Sequence, residues 1–233
     1  MIVEGQTEQA VCNQLIYPHL LKFGFDLSAR LIGKRGGTKS FSVLVDDVKR
    51  SLQSNAGCYV TTLFDYYALT STWPDVRAIK QRQGSGIYPA VLAGTIEQSI
   101  ASHIIGTISA DILWPGHFIP YIQLHELEAL LFSGPKEMAV TFGDLSFEAR
   151  FQAILTSCGS CEEINDSPAT APSKRIESIY PGYKKGKSDR AHAPIILQNI
   201  GLDRIRAACP RFDAWLKILE ALSPLPQACT TSV

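Results

Sequence analysis

"CYVTTLFD", residues Cys58–Asp65, is short, β-branched and aromatic, and it ends on a carboxylate. That composition predicts a buried strand. On both sides of it, short apolar runs alternate with helical patterns over residues 1–135, which is the order of a parallel sheet covered by helices. Three further strands are expected: the opening Ile2–Val3, "SARLI" (28–32), and "HFIPYIQL" (117–124), where Pro120 favours a sheet edge or a strand start. The helical patterns lie at 8–24, with Pro18 expected to kink or break it, and at 40–55, 88–104 and 125–132. The fold class is therefore α/β, with a four-stranded parallel sheet over residues 1–135. Beyond Gly134 the patterns are helical (147–155, 193–200, 212–222), giving a mainly helical region over 136–233 with a basic loop inside it. Residues 66–86 are expected to be a long loop, and the tail after Leu222 to fray.

Composition narrows the function classes. Lysine plus arginine equals aspartate plus glutamate at 22 each, so any polyanion partner must be held by local basic patches. No basic-then-apolar leader and no apolar run of membrane-spanning length is visible, which places the chain in the cytoplasm with its six cysteines reduced. Cys158 and Cys161 form one CxxC, but the other cysteines are scattered singly, so small, partly buried thiols are favoured over a zinc site. Only Met1–Val3 precede Glu4, short for a central strand of ~5 residues, so an upstream start is left open.

The recurring event is a strand that ends in acid. Glu4 follows the first strand, Asp65 closes the third, and Glu126 and Glu128 follow the fourth; Gly5 and Thr7 are expected to supply a turn and a helix cap that put Glu8 in the first helical turn. In open parallel sheets, ligands sit beyond the carboxyl ends of the strands. Carboxylates gathered there repel unless a cation or a proton shares the site, and hard cations such as Mg²⁺ take oxygen ligands. Glu8 reads equally well as a plain complement to a helix N-terminus. At a strand mouth these carboxylates are expected to be exposed and to carry little packing.

"VEGQTE" (3–8), the "LFDYY" strand end (63–67), "FIPYIQLHELEALLFS" (118–133), "SPATAPSKRI" (167–176) and "CPRFDAWLKILE" (209–220) together resemble a bacterial family of uncharacterised Toprim-related proteins, often encoded beside an AAA or ABC-type ATPase in phage-defence loci. The resemblance implies a Toprim-like domain over 1–135 and a nuclease using Mg²⁺ or Mn²⁺ to cleave phosphodiester bonds of DNA or RNA under control of the ATPase. It implies metal ligation by Glu4, Glu8, Asp65, Glu126 and Glu128, with Glu4, Asp65, Glu126 and Glu128 catalytic. The chain departs from the wider Asp-x-Asp pattern by placing Tyr67 at the second acid, which supports the alternative of a catalytically silent module that binds an ATPase or nucleic acid. A homodimer is left open.

Two basic stretches compete for attention. "GKRGGTKS" (33–40) nearly matches a phosphate-binding loop, but Thr38 stands where a second glycine is needed, so Lys34, Arg35 and Lys39 are assigned to phosphate-backbone contact or to a solvated loop. Lys174, Arg175, Lys184 and Lys185 form the second, a Ser/Pro-rich connector in which Tyr180 and Tyr183 offer stacking surfaces. His125, beside Glu126, is a candidate general acid or metal ligand, against the commoner role of a satisfied polar residue at a strand end.

Overall fold

The computed structural model describes residues 1–37, 39–55, 57–82, 88–114, 116–164 and 168–223. Thr38 and the tail from residue 224 onward fall outside these. A parallel sheet runs in the order β2 (Arg30–Leu31), β1 (Ile2–Val3), β3 (Val60–Asp65), β4 (Phe118–Ile119), and β5 (Ile122–Gln123) also pairs with β3. Every residue of β3 is buried, as a central parallel strand covered on both faces must be.

β4 and β5 are one edge strand interrupted at Pro120. Val60 pairs Phe118 and Phe64 pairs Ile122, so the register does not slip across the gap. Proline has no N–H to give the ladder, and the Thr62 hydroxyl repairs the break: it accepts the Tyr121 N–H and donates to the Tyr121 carbonyl, both at 2.9 Å. Pro18 is accommodated in the same spirit. Helix α1 (Gln6–Val11) passes through a π-helical turn (Cys12–Ile16) into α2 (Tyr17–Leu20), and the Gln14 carbonyl, which Pro18 cannot bond, accepts the Gln198 amide at 3.4 Å.

Neighbouring residues along each strand enter opposite cores. Ile2, Phe64 and Ile122 join α3 (Phe41–Ser54), α4 (Val76–Lys80) and α5 (Pro89–Thr107) on one face. Val3, Leu63 and Tyr121 join the other, built from α1 with α6 (Pro135–Phe142), α7 (Phe147–Cys158), α8 (Pro172–Ile179), α9 (Asp189–Ile200), α10 (Leu202–Ala208) and α11 (Pro210–Glu220). The C-terminal helices thus lie directly on the sheet: Trp215 stacks on Tyr121 at 4.4 Å between ring centroids and donates its Nε1–H to the Thr61 hydroxyl at 3.0 Å.

Two expectations change. The described part of the expected loop, 66–82, holds a 3-10 turn (Tyr66–Ala68) and α4, with 83–86 outside the described residues, and the Ser/Pro-rich connector holds α8, whose Ile176 and Ile179 are buried one turn apart. Polar composition hid that apolar stripe. Among the described residues no helix is long and apolar enough to cross a membrane.

Candidate functional site

The carboxyl ends of β1, β3 and β5 meet at one edge, and five acids gather there. β3 ends on Asp65, which is buried at 3% exposure. Its Oδ1 accepts the Leu127 N–H at 2.8 Å, and its Oδ2 lies 2.7 Å from the Lys185 ammonium. The chain leaves β5 through His125, whose positive φ of 62° is rare for a non-glycine residue. The His125 carbonyl accepts the Tyr67 N–H at 3.3 Å, which carries the β3–β5 pairing two residues further. Beyond that turn, Glu126 and the 3-10 segment Leu127–Ser133 bring two more carboxylates to the edge.

Glu126 accepts the Ser173 N–H of α8 through Oε2 at 2.9 Å and meets Lys185 through Oε1 at 3.2 Å. Glu128 accepts the Tyr183 hydroxyl through Oε1 at 3.2 Å and meets Lys185 through Oε2 at 3.1 Å. One ammonium therefore bridges three buried or nearly buried carboxylates. Lys185 keeps 38% of its side chain exposed, as a long lysine can while its ammonium meets buried acids.

Glu4 and Glu8 complete the group from β1 and the first turn of α1. The local chemistry differs from the expectation at two residues. The helix begins after Gly5, not Thr7, and the Thr7 hydroxyl donates instead to buried Asp189 at 3.0 Å. Gly5 is extended, with φ −139°, so its value is space: a Cβ there would stand 2.7 Å from the Glu8 carboxylate. Gly36, with φ +71°, lets the basic loop press against the first strand, since a Cβ would lie 2.5 Å from the Glu4 carbonyl. Gly37 N–H donates to that carbonyl at 2.8 Å.

The electrostatics follow from burial. Glu4 and Glu8 are each pushed up to about 8, first by desolvation and then by the Asp65 charge. Glu128 rises to about 7, again through burial, although Lys185 opposes the shift. Desolvation likewise raises Asp65 against the pull of Lys185. Burial works to lower Lys185, but Asp65, Glu128 and Glu126 outweigh it and hold the ammonium well above its ordinary range. These are not the exposed, lightly packed carboxylates expected of a strand mouth.

A hard divalent cation suits this donor set, which is all carboxylate oxygen, and one buried atom, Glu4 Oε2, has no hydrogen-bond partner among the described residues. As the side chains stand, no group of three or more His, Cys, Asp or Glu among the described residues is arranged to hold a metal ion. The ammonium of Lys185 lies where the three carboxylates converge.

The other expected residues have these surroundings. Lys34 lines a recess of about 250 Å³ with Arg30, Arg50 and Asp47, and Arg35 is exposed on the same loop. Lys39 borders a small cleft with Glu4. Lys174 and Lys184 are ion-paired with Glu177, and Arg175 donates to the Thr170 carbonyl. His125 is buried, with its ring 5.8 Å from that of Tyr67. Sequence reading missed Asp189, buried at 3% exposure beside Thr7, and missed that Lys185 belongs to the acids.

The family described as Domain of unknown function (DUF4276) matches residues 3–220. The chain belongs to the DUF4276 family. Its matched span includes all five acids and Lys185, so the site is built entirely within the DUF4276 domain. No curated protein and no solved structure matches the chain.

Proposed function

We propose that this DUF4276 chain is a divalent-metal-dependent nuclease of Toprim type that cleaves phosphodiester bonds of DNA or RNA. The observation that supports it most is the convergence of Glu4, Glu8, Asp65, Glu126 and Glu128 on the carboxyl edge of a parallel sheet, with one ammonium bridging the last three. Asp65, Glu126 and Glu128 would hold Mg²⁺ or Mn²⁺, with Glu4 and Glu8 beside them. Such an ion, when bound, supplies a water of lowered pKa and positive charge against the phosphate oxygens.

The chain's own groups have separate tasks. Glu4, pushed up to about 8, can exchange a proton at its carboxylate near neutral pH, where general acid–base groups work best. The Ser173 N–H and the Tyr183 hydroxyl fix the Glu126 and Glu128 carboxylates against rotation. Lys34, Arg35 and Lys39 flank the edge and serve the phosphate backbone without reading bases. By the resemblance to phage-defence proteins, the chain acts as an effector restrained by an AAA or ABC-type ATPase.

A second reading, a silent module that binds the ATPase or nucleic acid, is favoured by Tyr67 at the second acid position and by the lysine already seated among the carboxylates. A nuclease assay on DNA and tRNA with Mg²⁺ or Mn²⁺, with and without the ATPase, separates the two. The nuclease reading expects weak cutting by the isolated chain, stronger cutting with the ATPase, and a loss of at least ~100-fold in Glu126→Gln. No cutting under any of these conditions would leave the silent module.

A further inference from the structure

Lys185 occupies the place a cation would take. Its ammonium stands 2.7 Å from Asp65, 3.2 Å from Glu126 and 3.1 Å from Glu128, the three acids that meet at the end of β3 and after β5. The backbone that carries it is pinned on both sides. Tyr183 is fully buried and bonded to Glu128, the Lys184 N–H donates to the Ser188 hydroxyl at 2.7 Å, and that hydroxyl donates to the Gly182 carbonyl at 2.9 Å. Lys184 is tied to Glu177. The side chain of Lys185, by contrast, is 38% exposed and turns about four rotatable bonds.

We propose that Lys185 is a tethered counter-cation: it neutralises the carboxylates in the resting chain and swings out by side-chain rotation when a divalent cation enters, so that cation binding and lysine seating exclude each other. The inference rests on the metal-centre reading above. An ammonium needs oxygen at about 2.7–3.2 Å, whereas Mg²⁺ demands near-octahedral oxygen at about 2.0–2.1 Å. Both cannot sit at one convergence point. Because the loop is anchored by Tyr183 and Ser188, the exchange needs no loop opening. The apparent affinity for the cation is then its intrinsic affinity reduced by the fraction of chains whose lysine is already out.

Two measurements test this on the full chain. In Mn²⁺ binding by electron paramagnetic resonance, Lys185→Gln should bind about tenfold or more tightly than wild type, which corresponds to a lysine out in about a tenth of molecules or fewer. In wild type, saturating Mg²⁺ should speed the acetylation of Lys185, followed by peptide mass spectrometry, with exposed Lys187 as the internal reference. The second measurement needs no variant and so survives a Lys185→Gln chain that folds poorly. Equal or weaker Mn²⁺ binding by the variant, or unchanged Lys185 acetylation in a wild type that binds the ion, overturns the counter-cation alone. Absence of Mn²⁺ binding in both chains overturns the metal centre, and the counter-cation with it.

Discussion

Replacing Glu8 by glutamine should make the protein more stable near neutral pH, because it removes a carboxyl that the fold holds protonated at a cost. Glu8 moves from 4.5 to about 8, through burial first and then the Asp65 charge. Between those values the native chain keeps a proton that the unfolded chain has released, so stability falls as pH rises. The contribution is fully present below 4.5 and lost as pH passes through about 8. At ~1.36 kcal/mol per pH unit, the 2.5 units from 4.5 to neutrality amount to about 3 kcal/mol, and the loss levels off near ~5 kcal/mol above pH 8. Glutamine keeps the shape and carries no charge. Urea unfolding followed by tryptophan fluorescence, in chelator from about pH 5 to pH 8, should show the variant gaining on wild type by about 3 kcal/mol as pH rises to neutrality. Parallel curves for the two chains would refute the buried, proton-holding site.

Further outcomes follow from single contacts. Thr62→Val leaves the Tyr121 N–H and carbonyl without their partner across the Pro120 gap, and should cost about 1–3 kcal/mol in the same unfolding assay. Gly36→Ala meets both a positive φ and the Glu4 carbonyl, and should lower stability by about 1–3 kcal/mol in that assay. Asp65→Ala should lose any metal-dependent cleavage and should also destabilise the chain by about 1–3 kcal/mol, since the Leu127 N–H loses its acceptor and Lys185 loses one of its three carboxylates. Mn²⁺ affinity should rise with pH up to about 8, because Glu128 among the ligands holds its proton to about 7 and Glu4 and Glu8 beside the ion hold theirs to about 8; a flat profile counts against their place in the site.

The strands and the carboxylates were legible because each is a local signal. A β-branched run closing on Asp65, an apolar pair before Glu4 and a Pro-bearing edge strand before Glu126 all announce themselves within a few residues, and the parallel α/β order follows from their alternation with helices. What escaped is set by long-range packing. Lys185 lies 120 residues from Asp65 in sequence, inside a stretch whose lysines look alike, and only the burial of Tyr183 under Glu128 turns that one lysine inward. Asp189 is hidden for the same reason, since its partner Thr7 is 182 residues away. The burial of the acids was missed because α8 and the turn after it, whose Ser173, Tyr183 and Lys185 meet the carboxylates, come from a segment whose composition reads as a connector.

The central claim, that these carboxylates form a divalent-cation centre, is met most directly by a crystal structure of the wild-type chain grown with Mn²⁺ near pH 8 and phased for anomalous scattering. One anomalous peak is expected within about 2.0–2.3 Å of oxygens from Asp65 and at least one of Glu126 and Glu128, with the Lys185 ammonium withdrawn. A structure with no peak at that edge, and with Lys185 still bridging the three acids, would contradict it.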